Sequence, residues 1–331
     1  MSYKSLNFQQ DFAPLSTAVN EVISISGSIF SSSTNVKKFS NIASGSAAID
    51  LGGYFETVYD AAPSSALSTP LFDITFGYAT GSSYNVQVTT TSSQTEKVKI
   101  YRQMAALLLG DPDGQFTINS STRKEAIFVL FKRNIIKDEL KKGTVYFTVN
   151  SETPTQYTAS DAGAASTFKQ TVGGDYSPLK YNGTGSEIGQ VWYQAGVIVL
   201  HPDSMWGAIP LWSGSKTLIN LQSSGTINQV VDGFRTHTEN LQINNQTNLQ
   251  SSVYFCRAYN NEFNYSSNPT FTDDDGLIRV TSGSNVLTTQ TYITTVGLYD
   301  ENDNLLAVAK TNKPVLKSPQ TEATLRLRLD Y

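Results

Sequence analysis

TYITTVGLYDENDNLLAVAKTNKPVLKSP (Thr291–Pro319), followed by TEATLRLRLDY (Thr321–Tyr331), decides the fold class of this chain. Apolar and polar residues alternate through both stretches, the period of a strand whose successive side chains point to opposite faces. Asp300, Glu301, Asn302, Asp303 and Asn304 lie between the first two alternating runs. Their side chains favour turns, so Thr291–Tyr299 and Leu305–Lys310 are expected to form a hairpin. Further strands are expected near Ser252–Tyr259 and at Ala323–Leu329. The last of these sets Leu325, Leu327 and Leu329 on one face and Arg326 and Arg328 on the other. Those leucines, with Tyr331, are the candidate assembly contacts, because an exposed strand can pair with a neighbouring chain by strand addition. The simpler expectation is that this strand closes the sheet of its own domain.

The chain has 331 residues, enough for one large or two ordinary domains. Charged residues make up 16%, against roughly 25% in a typical soluble domain, and Ser, Thr, Asn, Gln and Gly take their place. Such a surface suits contacts made of uncharged hydrogen bonds and apolar burial. An aromatic content of 11% argues for an ordered chain, since disordered segments are poor in aromatic residues. The net charge is −4 and the basic residues are spread thinly, so no nucleic-acid partner is expected. No run of eighteen apolar residues is present, so no membrane-spanning helix is expected either. MSYKSLNFQQDF lacks the apolar core of a secretory signal, and a cytoplasmic site of synthesis and folding is the expectation.

Outward from the C-terminal third, the fold class expected is mainly β with minor α, in antiparallel β-sandwich-like domains. One prominent helix stands near residues 96–109. Its apolar positions Val98, Tyr101, Met104, Ala105 and Leu108 recur at steps of three and four, Ser93 or Thr95 can cap it, and Gly110 stops it. Residues 1–45 read as an N-terminal arm or edge strand, and 46–150 as a β-rich domain holding that helix. Residues 151–190, rich in Gly, Ser, Thr and Tyr, read as a long loop region, and 191–331 as a C-terminal β-rich domain. VWYQAGVIVLHP (191–202) reads as one buried strand. Thr217–Leu249 is ambiguous in pattern, and INQVVDGFRTHTENLQINNQTNLQSS (227–252) can be read as a helix followed by a polar strand.

Chemistry is weakly signalled. The single cysteine, Cys256, rules out an internal disulfide and reads as a small buried hydrophobe facing the same way as Tyr254 and Ala258. His201, at a strand end beside Asp203, has the placement of a general base, but no nucleophile motif stands near it. His237 reads as a surface residue. Two separated histidines do not supply a three- or four-ligand metal set. Asp273, Asp274 and Asp275, and the Asp300–Asp303 cluster, are candidate calcium loops, yet turn chemistry explains them better. The aromatic and amide-rich segment Tyr259–Pro269 suggests either a carbohydrate platform or a packed loop, and packing is preferred. No catalytic, cofactor-binding or metal residues are therefore expected.

Three blocks carry a resemblance. They are PLFDITFGYATGS (Pro70–Ser82), EKVKIYRQMAALLLG through AIFVLFKRNIIKDELKKGTVYFTV (Glu96–Val149), and Val253–Tyr331. Together they resemble virion structural proteins of tailed bacteriophages, nearest the marine contractile-tailed phages. The resemblance implies a non-enzymatic structural subunit of the tail or baseplate, without cofactors. Its partners would be other phage structural proteins and further copies of itself, and its location a virion assembled in the host cytoplasm. A neck or capsid-associated subunit, a carbohydrate-binding receptor protein and a hydrolase using His201 are the alternatives.

Overall fold

A computed structural model of the chain describes residues 3–39, 53–83, 92–150, 156–206, 212–213, 216–217, 222, 225–266, 268–279 and 290–330. The protein is mainly β, with 49% strand and 16% helix, as the alternating runs predict. In chain order the strands begin with β1 (Phe12–Ser26), β2 (Val36–Phe39), β3 (Phe55–Tyr59), β4 (Pro70–Tyr78), β5 (Phe116–Ile118) and β6 (Ser121–Arg123). Then come β7 (Glu125–Phe131), β8 (Glu139–Leu140), β9 (Tyr146–Asn150), β10 (Gln156–Ser160), β11 (Lys169–Thr171), β12 (Gly174–Tyr181), β13 (Glu187–Trp192) and β14 (Val197–Leu200). The last are β15 (Trp212–Ser213), β16 (Lys216–Thr217), β17 (Thr238–Ala258), β18 (Thr291–Tyr299), β19 (Leu305–Lys317) and β20 (Ala323–Asp330).

The chain forms two compact units, residues 19–247 and residues 1–18 with 248–331. This replaces the expected boundaries after residues 45, 150 and 190: sequence reading cuts a chain into consecutive pieces, whereas here both outer segments fold together. β1 and β17 each contribute residues to both units. β1 and β2 stand at opposite ends of the sheet order; residues 1–2 and 40–45 of the expected arm or edge strand lie outside the described residues.

In the larger unit, neighbouring strands run β9–β10–β12–β13–β14–β7–β4–β3–β2, with the first part of β17 beside β9. All of these pairings are antiparallel. β7 (EAIFVLF) and β14 (VIVL) are apolar almost throughout and are buried on both faces. A strand covered on both sides reads as a continuous apolar run rather than an alternating one. The helices Ser92–Leu109 and Ile227–His237 pack on β4. Gly77 makes room for the first of them, because a Cβ there would come within 2.7 Å of the Lys97 carbonyl oxygen and the Tyr101 amide nitrogen. Tyr101, Phe116, Phe128 and Trp192 then meet edge to face, with ring centres 5.5–6.2 Å apart, the arrangement aromatic quadrupoles prefer.

Three expectations are corrected here. Residues 151–190 are not a long loop: of those described, β10, β11 and β12 form a meander leading into β13. VWYQAGVIVLHP is not one strand but the end of β13, a turn and β14, with Gly196 at φ 66° making the reversal. Among the described residues the long helix begins at Ser92, so it runs through Ser93 and Thr95, the expected caps. Gly110, at φ 80°, does end it. The second helix, Ile227–His237, begins with a capping box in which the Thr226 hydroxyl accepts the Gln229 amide and the Gln229 side chain accepts the Thr226 amide.

In the smaller unit the second part of β17 pairs with β20, setting Ser252 opposite Leu329, Tyr254 opposite Leu327 and Cys256 opposite Leu325. β18 and β19 pair with each other as a separate two-stranded sheet.

Candidate functional site

The expected assembly contacts lie on β20. Leu325, Leu327 and Leu329 are half-buried, while Arg326 and Arg328 are exposed, so the alternation read from the sequence is the alternation found. The strand pairs with β17 of its own unit, which is the simpler of the two expectations. Among the described residues β17 is its only strand partner, leaving the other edge of β20 without a ladder. Tyr331 lies outside the described residues.

The β18–β19 ribbon was legible as a hairpin, but not as a surface. One face holds Ile293, Val296, Ala307, Ala309 and Val315, which are half-buried, and Leu298, which is buried. The other sets Tyr292 opposite Leu316 and Gly297 opposite Val308. Tyr292 is 60% exposed, and Leu306 in the same ribbon is 67% exposed. Tyr299, Leu305, Val308 and Leu316 are exposed as well. A two-stranded ribbon alone is marginal in water, and contiguous exposed apolar side chains mark interaction surfaces.

The acidic clusters are turns. Asp300 Oδ1 accepts the amides of Asn302 at 2.8 Å and Asn304 at 2.7 Å, and bonds from Asn304 hold this carboxyl below its usual value. Asp273 Oδ1 likewise accepts the amides of Asp275 and Leu277. Tyr259–Pro269 is not the packed aromatic loop expected, since Tyr259 and Tyr265 are exposed; hydrogen bonds hold its first part, where the buried Lys317 donates to the Asn260 carbonyl at 3.1 Å and to Asn264 Oδ1 at 2.8 Å. Cys256 is half-buried rather than buried, and burial, aided by Asp11, pushes its thiol up, away from a reactive thiolate.

The larger unit carries a buried polar cluster that no local spacing could reveal. Tyr78 pairs with Glu125, and Leu200 with Ile127, so the end of β4, the start of β7 and the end of β14 converge. Ser82, Glu125 and His201 follow from that register. Ser82 Oγ donates to Glu125 Oε1. His201, only 2% exposed, places Nε2 3.7 Å from Glu125 Oε2. Burial pushes the Glu125 carboxyl up, but His201 and Ser82 outweigh it, and the group stands below its usual value. On the other side of the ring, Nδ1 accepts the Ser204 amide at 3.0 Å and lies 2.7 Å from Ser204 Oγ. His201 thus caps the short helix Pro202–Trp206, and its Nδ1 lone pair, the one a general base would use, is shared with a backbone donor. Gln222 Nε2 donates to Asp203 Oδ1 at 3.0 Å, and Lys97 Nζ donates to the carbonyls of Gln222 and Gly225. Burial pulls the Lys97 amine down to about 8.

A second buried charge lies at Glu56 on β3, near Arg235, Lys38 and Asp232. Lys38 Nζ bonds Asp232 at 2.5 Å, and Arg235 bonds Asp232 at 2.7 Å and the Ser32 carbonyl at 2.9 Å. Burial and Asp232 push the Glu56 carboxyl up to about 7 against the opposing pull of Lys38 and Arg235. Among the described residues no helix is long and apolar enough to cross a membrane. Comparison with models of known protein families, with curated proteins and with solved structures gives no match.

Proposed function

We propose that this chain is a non-enzymatic structural subunit that works by burying surface against other subunits. The observation that carries the reading is the β18–β19 ribbon, two long strands that pair only with each other among the described residues and present six exposed large apolar side chains. Covering that face removes apolar surface from water at roughly 25 cal/mol per Å², and a surface poor in charge opposes the approach of a neighbour little. The open edge of β20 offers backbone donors and acceptors to an added strand, with Arg326 and Arg328 outward.

The setting comes from the sequence resemblance: the virion of a tailed bacteriophage, in the tail or baseplate, with other phage structural proteins and further copies of the chain as partners. A neck or capsid position would use the same contacts. Sedimentation of the full chain over a hundredfold range of concentration, with cryo-electron microscopy of the source virus particle, tests both parts. Self-association and density fitting this fold in the tail are the expected results. A chain that stays monomeric throughout and is missing from the particle would sink the proposal.

A further inference from the structure

We propose that Glu125, His201 and Asp203 form a binding site for a divalent first-row transition cation. The site lies in the larger unit and is independent of the assembly reading. Each of the three residues offers one ligand atom, and these atoms all lie within 4.8 Å of one another, the one such group of His, Cys, Asp and Glu side chains among the described residues. Metal–ligand bonds to nitrogen and oxygen of about 2.0–2.2 Å set the ligands of a tetrahedral ion about 3.3–3.6 Å apart, so closing the set needs side-chain movements of about an ångström. An imidazole with two carboxylates is a donor set for zinc, iron or manganese rather than for a hard cation held by oxygen alone.

Gln222 supplies an independent observation. Its side chain is fully buried, and among the described residues Oε1 has no hydrogen-bond donor, an unfavourable state for a buried carbonyl oxygen. The Nε2 of the same amide donates to Asp203 Oδ1 at 3.0 Å, which sets this orphan acceptor beside a proposed ligand.

The surroundings have the supports that ligating side chains use. Ser82 Oγ holds Glu125 through Oε1, leaving Oε2 toward His201. With a cation at Nε2, the ring proton must sit on Nδ1, where Ser204 Oγ at 2.7 Å accepts it. The cost of that tautomer is the capping bond from the Ser204 amide, a small loss beside ligation of a metal. The bound ion would tie His201 and Asp203 to Glu125 at the start of β7.

The test uses the full chain, stripped with chelator and titrated with ZnCl2 by calorimetry, with the metal retained after desalting counted by mass spectrometry. One equivalent retained by the wild type, and affinity more than about tenfold weaker in Asp203→Asn, are expected. Asp203 is only half-buried, so this variant should keep its fold, which near-ultraviolet circular dichroism checks. His237→Gln and Cys256→Ser, which alter the other histidine and the only thiol, should bind like wild type. The proposal is overturned if the wild type retains no zinc, if Asp203→Asn binds as tightly as wild type, or if His237→Gln or Cys256→Ser abolishes binding.

Discussion

β7 and β20 are antiparallel strands of seven and eight residues, both rich in aliphatic side chains, and they end in different environments. In β7, Ala126 through Val129 are buried without a break, because layers cover both faces of the sheet. In β20 half-buried leucines alternate with exposed polar and charged residues, the mark of a strand with one face to spare. The β18–β19 ribbon goes further, with large apolar side chains on the face that nothing described covers. The larger unit buries most of its apolar residues, with Leu67 and Val172 among the exceptions. The smaller unit keeps several of them on the outside, where they are available to a partner.

The largest expected effect of breaking this contrast is in the larger unit. Phe128→Ala removes a ring that touches Tyr101 and Phe116, and should destabilise that unit by about 3–5 kcal/mol. All three tryptophans, Trp192, Trp206 and Trp212, lie within residues 19–247, so urea unfolding followed by tryptophan fluorescence reads that unit alone. Glu56 gives the next effect. Its carboxyl is raised from 4.5 to about 7 in the folded chain, so the native state holds a proton that the unfolded state has lost across that window. The resulting stability is complete below about pH 4.5 and is lost as pH rises through about 7. The loss is on the order of 3 kcal/mol. Glu56→Gln should flatten most of that slope between pH 5 and pH 8, and a variant that keeps the full wild-type slope would rule this source out.

Thr226→Ala removes the capping box of the helix Ile227–His237 and should cost about 1 kcal/mol, again by tryptophan fluorescence. The smallest effect on stability belongs to the ribbon. Leu306→Asp with Val308→Asp places charges on exposed positions, and should change stability by less than about 0.5 kcal/mol per site. The same double variant should abolish self-association in sedimentation. If it instead melts the smaller unit, the two regions are alike after all and the exposed face is part of a core.

What was legible in the sequence was what depends on near neighbours. β18, β20, the Asp300–Asn304 turn and the body of the long helix follow from periods of two and 3.6 and from turn residues. β10 to β12 escaped because their Gly, Ser, Thr and Tyr residues alternate weakly. It is pairing along β9 and β13 that makes them strands. The run VWYQAGVIVL hid a reversal, since its one turn signal, Gly196, sits inside apolar sequence. The cluster around His201 was out of reach for a related reason. Ser82, Glu125, His201 and Gln222 are spread over 141 positions from first to last and meet only through strand register (222 − 82 = 140 steps). Asp203 stands beside His201 in the sequence itself, whereas Glu125 is 76 positions away and joins them only through the fold.

The division of the chain also sets an order in time. Residues 19–247 are all synthesised before Asn248, whereas the smaller unit draws on residues 1–18 and on everything from Asn248 onward. At roughly 5–20 residues per second, the 84 residues from Asn248 to Tyr331 take about 4–17 s to make. During that interval the larger unit can finish folding, while the N-terminal segment waits for its counterpart. The ribbon with its exposed apolar face follows the whole of the larger unit in the chain, so it leaves the ribosome only after residues 19–247 have been made.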